Sequence, residues 1–219
     1  IGVPVAWCIA ISSMFTLMLA MPVSAATTTV SQRIATGLDS FALLAIPFFI
    51  LSGQIMSKGG IANRLISFAK TLVGFLPGGL ALINIVSAML MGAIAGSAMA
   101  SASAMGTILG PEMEKEGYSK EFGAAVNITS STTGLVIPPS NTLIVYSLAS
   151  GGVSIAALFL AGYIPGILTG LLMMIVAMIW AKKNNYPVGK RSSLKEVFVK
   201  FIDAFPSLLL LVIVIGGII

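Results

Sequence analysis

Two long stretches of this chain carry no charged side chain, one from Thr71 to Pro111 and one from Phe122 to Ala181. Each exceeds the roughly 20 apolar residues that cross a bilayer once. Water-soluble domains, with about a quarter of their residues charged, do not sustain such runs. Here hydrophobic residues are 57% of the chain and charged residues 9%. The expected class is therefore an all-α polytopic membrane protein. A transmembrane barrel would alternate apolar and polar residues, and these runs do not.

Composition excludes several chemistries. There is no histidine, so a His-based triad, a His metal site and an imidazole pH switch are all ruled out. Cys8 is the single cysteine, too few for an internal disulfide or a cysteine zinc cluster. The formal charge of +5 is spread over short loops, without a reading helix or an aromatic platform, so no nucleic-acid partner is expected. The chain opens at Ile1 and stops at Ile219 inside the run "LLLLVIVIGGII", as a piece of a longer protein would.

The spans follow from the apolar runs. The first covers Val3 to Met21, and "TTTVSQRIATGLDS" then reads as a polar connection holding Arg33 and Asp39. The second, "FALLAIPFFILSGQIMS", should kink at Pro47. From Ile61 to Phe75, Ile61, Leu65, Phe68, Leu72 and Phe75 recur at helical spacing, as in a helix lying along the membrane interface. An ordinary span with charged ends is the alternative. Residues 80–95 give a helix of about 24 Å, short of the roughly 30 Å hydrocarbon core. "GSAMAS" interrupts it, and Ala102 to Glu114 forms a second short helix. Two short helices around a small polar tip predict a re-entrant hairpin over 80–115, against the alternative of one long helix. A further span, 119–150, is broken at "GLVIPPSN", because adjacent prolines lack N–H groups and restrict the residues before them. Its halves would be about 24 and 18 Å long. Residues 154–181 span again with a bend at Pro165, 182–203 form an aqueous connection, and 204–219 begin the next span.

The hairpin also satisfies the charge bias. With residues 80–115 returning to their own side, Lys58, Arg64, Lys70, Lys115, Lys120, Lys182, Lys183, Lys190, Arg191, Lys195 and Lys200 share one side, and Arg33 alone falls on the other. The rule that basic loops stay inside then predicts a cytoplasmic chain start.

Breaking a helix in oil is costly, since each freed backbone group needs a partner. A break also exposes a half-negative carbonyl end and a half-positive amide end. Two breaks meeting near the midplane suit a cation and an anion together. The candidate cation set is Gly96, Ser97, Ser101 and Ser103 at the first break with Thr133, Gly134, Val136 and Pro138 at the second. The candidate substrate set is Ser97, Ala98 and Ser101 with Pro139, Ser140, Asn141 and Thr142. Pro139 suits the first turn of the second half-helix, where its missing N–H is no loss. Neither break holds an ionisable residue, which favours sodium held by carbonyls and hydroxyls over a proton relay. No other cofactor is expected.

At this point the residues resemble a known family. "GAIAGSAMASASAMGTILGPEMEKEGY" followed by "SSTTGLVIPPSNTLIVYSLASGGVSIAALFLAGYIPG" is similar to the large membrane subunit of tripartite ATP-independent periplasmic (TRAP) transporters, as is "GLDSFALLAIPFFILSGQIM". The resemblance implies a bacterial inner-membrane secondary transporter of the ion-transporter-superfamily type. It implies inverted repeats, each with a re-entrant hairpin and a broken helix, and this chain would be the first. On that view residues 1–79 are scaffold helices with an interfacial arm and 80–181 the transport region, moving as an elevator. The resemblance also implies sodium coupling, a small four-helix membrane partner and a periplasmic substrate-binding protein. Substrates would be organic acids such as C4-dicarboxylates or sialic acid, with Asn141 leaning towards the latter.

Blander roles stand beside these. Ser97, Ser101, Ser103 and Thr107 could serve as small packing residues, and Gly92-x3-Gly96 and Gly166-x3-Gly170 fit close helix approach. Asn127 should bond a neighbouring helix, and Met89, Met91, Met99 and Met105 should fill the core. An ion channel would show a pore-lining stripe, and an intramembrane enzyme would need a base near its serines. Neither feature is visible, so the chain reads as a transporter.

Overall fold

The computed structural model describes residues 2–218, without the side chains of Phe41, Met56, Ser57, Lys58, Leu210, Ile215 and Ile218. Ile1 and Ile219, and the Lys58 charge, lie outside the described residues. Contacts divide the chain into two units at Leu44 and Ala45.

In the first unit, α1 (Val5–Ala20) and α2 (Val23–Leu38) pack on each other across a short turn at Met21 and Pro22. The expected polar connection is therefore a helix. Its hydroxyls explain why. Thr27 donates to the Val23 and Ser24 carbonyls, Thr28 to Ser24 and Thr36 to Gln32. Each threonine meets its hydrogen-bonding need within its own helix, so polarity here does not require an aqueous loop.

Across the boundary, α3 (Phe41–Lys58) keeps Pro47 inside it. In the second unit, α4 (Ile61–Val73) buries Ala62, Leu65, Ile66, Ala69 and Thr71. This face lies one position away from the stripe read in the sequence, and Leu72 is left exposed. The centre of the unit is α5 (Gly79–Ala95). Apolar on every side, it is buried along nearly its whole length, as such a helix must be. Around it pack α4, α6 (Ala98–Lys115), α7 (Lys120–Ser131), a 3₁₀ turn (Thr132–Leu135) and α9 (Ile155–Lys183). The Ser101 hydroxyl donates to the Ala88 carbonyl at 3.2 Å and so fastens the antiparallel arms α5 and α6.

Two boundaries differ from the expectation. The first interruption is Gly96 and Ser97 alone, since α6 starts at Ala98 rather than Ala102. Ser97 caps it by accepting from the Ala100 N–H, which lets the small residues after it remain helical. The last helix, α10, runs from Leu194 to Ile218 and absorbs the second half of the expected aqueous connection. There its Asp203 pairs with Arg64 of α4 at 3.8 Å.

The remaining elements follow the sequence. The 12-residue α7 and 9-residue α8 (Asn141–Ala149) are the halves of the broken span. α9 holds Pro165 inside it and runs 29 residues, about 43 Å. With α10 it is long and apolar enough to cross a membrane. Only a narrow strip of α9 is buried, while Ile164 is 78% exposed and Val176 65%, as on a lipid-facing helix.

The charged end of the second unit is tied together. Tyr118 stacks on Tyr186 at 4.3 Å, the Ser119 N–H donates to the Tyr186 hydroxyl, and Pro77 pairs with Val188. The start of α5, the end of α6 and the end of α9 therefore meet, as the hairpin requires. Burial raises the Tyr118 phenol to about 12, so it stays neutral at physiological pH.

Candidate functional site

The chain makes its first break by reversal. α5 ends at Gly96, whose φ of 61° is left-handed. A Cβ there would also stand 3.1 Å from the Pro139 carbonyl oxygen, so glycine is required twice over. Among the described residues, no hydrogen bond from outside α5 reaches the carbonyls of Ala93, Ile94 or Ala95. They form a half-negative end with free lone pairs.

The second break is longer. After α7 and the 3₁₀ turn, the chain passes through a cis Pro138–Pro139 bond to Ser140. Ser140, and not Pro139, starts the second half-helix: it is the N-cap of α8, accepting from the Leu143 N–H and donating to the Leu135 carbonyl at 2.6 Å. Pro139 thus lies just ahead of the helix, a correction to its expected place in the first turn. Thr133 is 1% exposed, and its carbonyl accepts from Val136 and Ile137 at 3.0 and 2.8 Å.

The two breaks meet. The Gly96 carbonyl accepts the Asn141 N–H at 3.3 Å. Below this bond, Gly92 and Gly134 press backbone on backbone: a Cβ at Gly134 would stand 2.7 Å from the Gly92 Cα. A negative helix end, from α5, therefore lies beside the positive ends of α6 and α8. No charged side chain belongs to either break.

The structure sorts the sequence candidates. Gly96, Ser97 and Ala98 lie with Pro139, Ser140 and Asn141, while Gly134, Val136 and Pro138 form the buried or half-buried run leading in. The buried Oδ1 of Asn141 has no protein partner. Ser101 is fully buried between the hairpin arms, with its hydroxyl committed to Ala88. Ser103 lies on the opposite side of α6, where its carbonyl accepts from Thr107. Thr142 is exposed.

A model of the DctM component of tripartite ATP-independent periplasmic transporters matches residues 1–219. The chain belongs to this family. The DctM family is one of transporters, so the chain is no enzyme, and the channel alternative lacks support. Membership agrees with the apolar helices in making it a multi-pass membrane protein. Over 219 residues it is 56% identical to the uncharacterized protein YgiK of Salmonella typhimurium, covering 100% of this chain and 50% of that protein. It is 41% identical to the C4-dicarboxylate TRAP transporter large permease protein DctM of Vibrio cholerae, covering 100% and 48%. To the sialic acid TRAP transporter large permease protein SiaM of Vibrio cholerae it is 38% identical over 188 residues, covering 86% and 44%. The chain spans about half the length of the curated relatives it matches.

Several residues of this DctM-family chain escaped the sequence reading. Gln54 and Asn63, from α3 and α4, line a cavity of about 640 Å³ together with Ser97, Ser103 and Thr107. Gly53 lets α3 approach Ala95, since a Cβ there would lie 3.2 Å from the Ala95 Cα. Asn84 is 1% exposed, neither of its amide atoms has a protein partner, and it lines a cavity of about 230 Å³ with Asn127. Asn127 bonds the Ala102 carbonyl at 2.9 Å, the interhelical role expected of it. A lone amide in an apolar run was the available signal for Gln54 and Asn84.

Proposed function

We propose that this chain is the first half of a sodium-coupled importer of an organic acid. The observation that carries the reading is the junction at Gly96 and Asn141, where opposite helix ends meet without an ionisable side chain. The free carbonyls of Ala93, Ile94 and Ala95, with Ser97, offer oxygen ligands to a small hard cation. The amide ends of α6 and α8, with the Asn141 side chain, offer donors to a carboxylate. Similarity to permeases named for C4-dicarboxylate and sialic acid supports an acid as cargo. The cavity beside Ser97 and Ser103, between α6 and the α3–α4 pair, suits an elevator motion of residues 80–181 against a scaffold, with a second, inverted repeat completing the site. The basic end of the second unit faces the cytoplasm of a bacterial inner membrane. A small four-helix membrane subunit and a periplasmic substrate-binding protein complete the system.

The test is uptake of labelled C4-dicarboxylates and sialic acid by the full-length protein with both partners in proteoliposomes. Uptake is expected to follow an inward sodium gradient. Replacing Pro138 and Pro139 together by alanine restores two N–H groups and frees Ile137 to turn helical. It should lower that uptake about tenfold, or ~1.4 kcal/mol, while the protein still elutes as a single folded species. Uptake indifferent to sodium, or unchanged in the double variant, would defeat the reading.

A further inference from the structure

We propose that the recess between α4, the start of α5 and residues 187–200 is a binding site for the headgroup of an anionic phospholipid. The recess has a volume of about 610 Å³. Lys70, Lys190, Arg191 and Lys200 line it, against the carboxylates of Glu116 and Glu196, so four cations face two anions and leave an excess of two positive charges. Among the described residues the ion pairs are Arg64–Asp203 and Lys120–Glu114, and none of these six groups takes part. The recess therefore keeps a positive excess that no close ion pair ties up, which favours an added anion.

The recess is built rather than incidental. Gly74, Gly79 and Gly189 form its floor, and a Cβ on Gly79 or Gly189 would collide with the Gly74 carbonyl oxygen. Arg191 is placed over the Phe75 ring at 5.3 Å, which fixes one side of the rim. Buried Leu80 and Ile83 give the inner wall an apolar surface. Cations at the rim above an apolar wall match a phospholipid, with its phosphate outermost and its glycerol and chains inward. Inorganic phosphate is also an anion but has nothing to place on Leu80 and Ile83. Basic pockets between membrane helices are a recognised way of holding anionic headgroups. Pro187, in the recess lining, directly follows Tyr186, an aromatic residue suited to the membrane–water boundary. This inference rests on membrane embedding alone and holds whatever the protein carries.

The test is binding of fluorescent phosphatidylglycerol and phosphatidylcholine to the full-length protein in detergent. Wild type should prefer phosphatidylglycerol, and Lys190→Gln with Arg191→Gln should weaken its binding about 30-fold, the effect of two surface cations. Lys70→Gln with Lys200→Gln, on the facing wall, should do the same, so a folding failure in one pair leaves the other decisive. Lys182→Gln with Lys183→Gln, outside the recess, should leave the preference intact. Equal losses in all three pairs, unchanged binding in the first two, or displacement of the lipid by millimolar inorganic phosphate would each overturn the assignment.

Discussion

The two interruptions of this chain solve the same problem at different lengths. Between α5 and α6 the chain reverses through Gly96 and Ser97 alone, whereas between α7 and α8 it goes forward through residues 132–140. Reversal needs one left-handed glycine and one capping serine, because the returning arm packs directly on the outgoing one. Continuing forward needs a 3₁₀ turn, two prolines and a cap. The longer break meets part of its own need: the Thr133 carbonyl accepts two N–H groups and the Leu135 carbonyl accepts the Ser140 hydroxyl. Among the described residues no hydrogen bond from outside α5 reaches the carbonyls of Ala93, Ile94 and Ala95 in the short break, and none reaches those of Val136, Ile137, Pro138 and Pro139 in the long one. The junction therefore offers free acceptors from both sides, at a helix end on the hairpin side and along the run 136–139 on the other.

The comparison can be broken most sharply where the breaks touch. Gly92→Val forces a side chain into the Gly134 backbone and should cost about 3 kcal/mol or more, seen as loss of monodisperse protein after extraction. A well-folded variant would mean that the breaks do not meet. Next, Gly96→Ala imposes a left-handed φ on alanine and crowds Pro139. It should destabilise by about 2 kcal/mol, measured by thermal unfolding in detergent, and a shift near zero would remove the tight reversal. The smallest effect separates the two caps. Ser140 makes two hydrogen bonds while buried and Ser97 makes one. Ser140→Ala should cost about 1.5 kcal/mol against ~0.5 for Ser97→Ala. Equal costs would mean that the two caps hold their breaks equally firmly.

Much of this was legible in the sequence because apolar runs and prolines act locally. The hairpin, the broken span, the amphipathic α4 and the long α9 all follow from periodicity and breakers. Errors arose where side chains meet their needs in a way composition conceals. Thr27, Thr28 and Thr36 bond back into α2, so a polar stretch became helix. Ser97 caps so early that Ser101 and Ser103 sit within α6 and face opposite ways. For the site, the residue types pointed to the meeting of Gly96 with Asn141. They could not separate Ser101, which fastens the arms, from Ser97 at the junction, because both are serines in one small-residue run. Gly96 was read as part of the first break, with packing beside Gly92 as the blander role; its φ makes it the turn, and packing belongs to Gly92, Gly166 and Gly170. The contact of Gly53 with Ala95 depends on tertiary geometry and has no local signature.

Along one side of α9, a Cβ on Gly162 would meet the Val136 carbonyl, on Gly166 the Ile137 side chain and on Gly170 the Met89 side chain. This glycine edge lets a continuous rod lie flush against a fractured one. α9 thus acts as a splint: it holds the pieces of its neighbour in line without mending the gap. The gap can then stay open, as the proposed ion site requires, without its two flanks drifting apart.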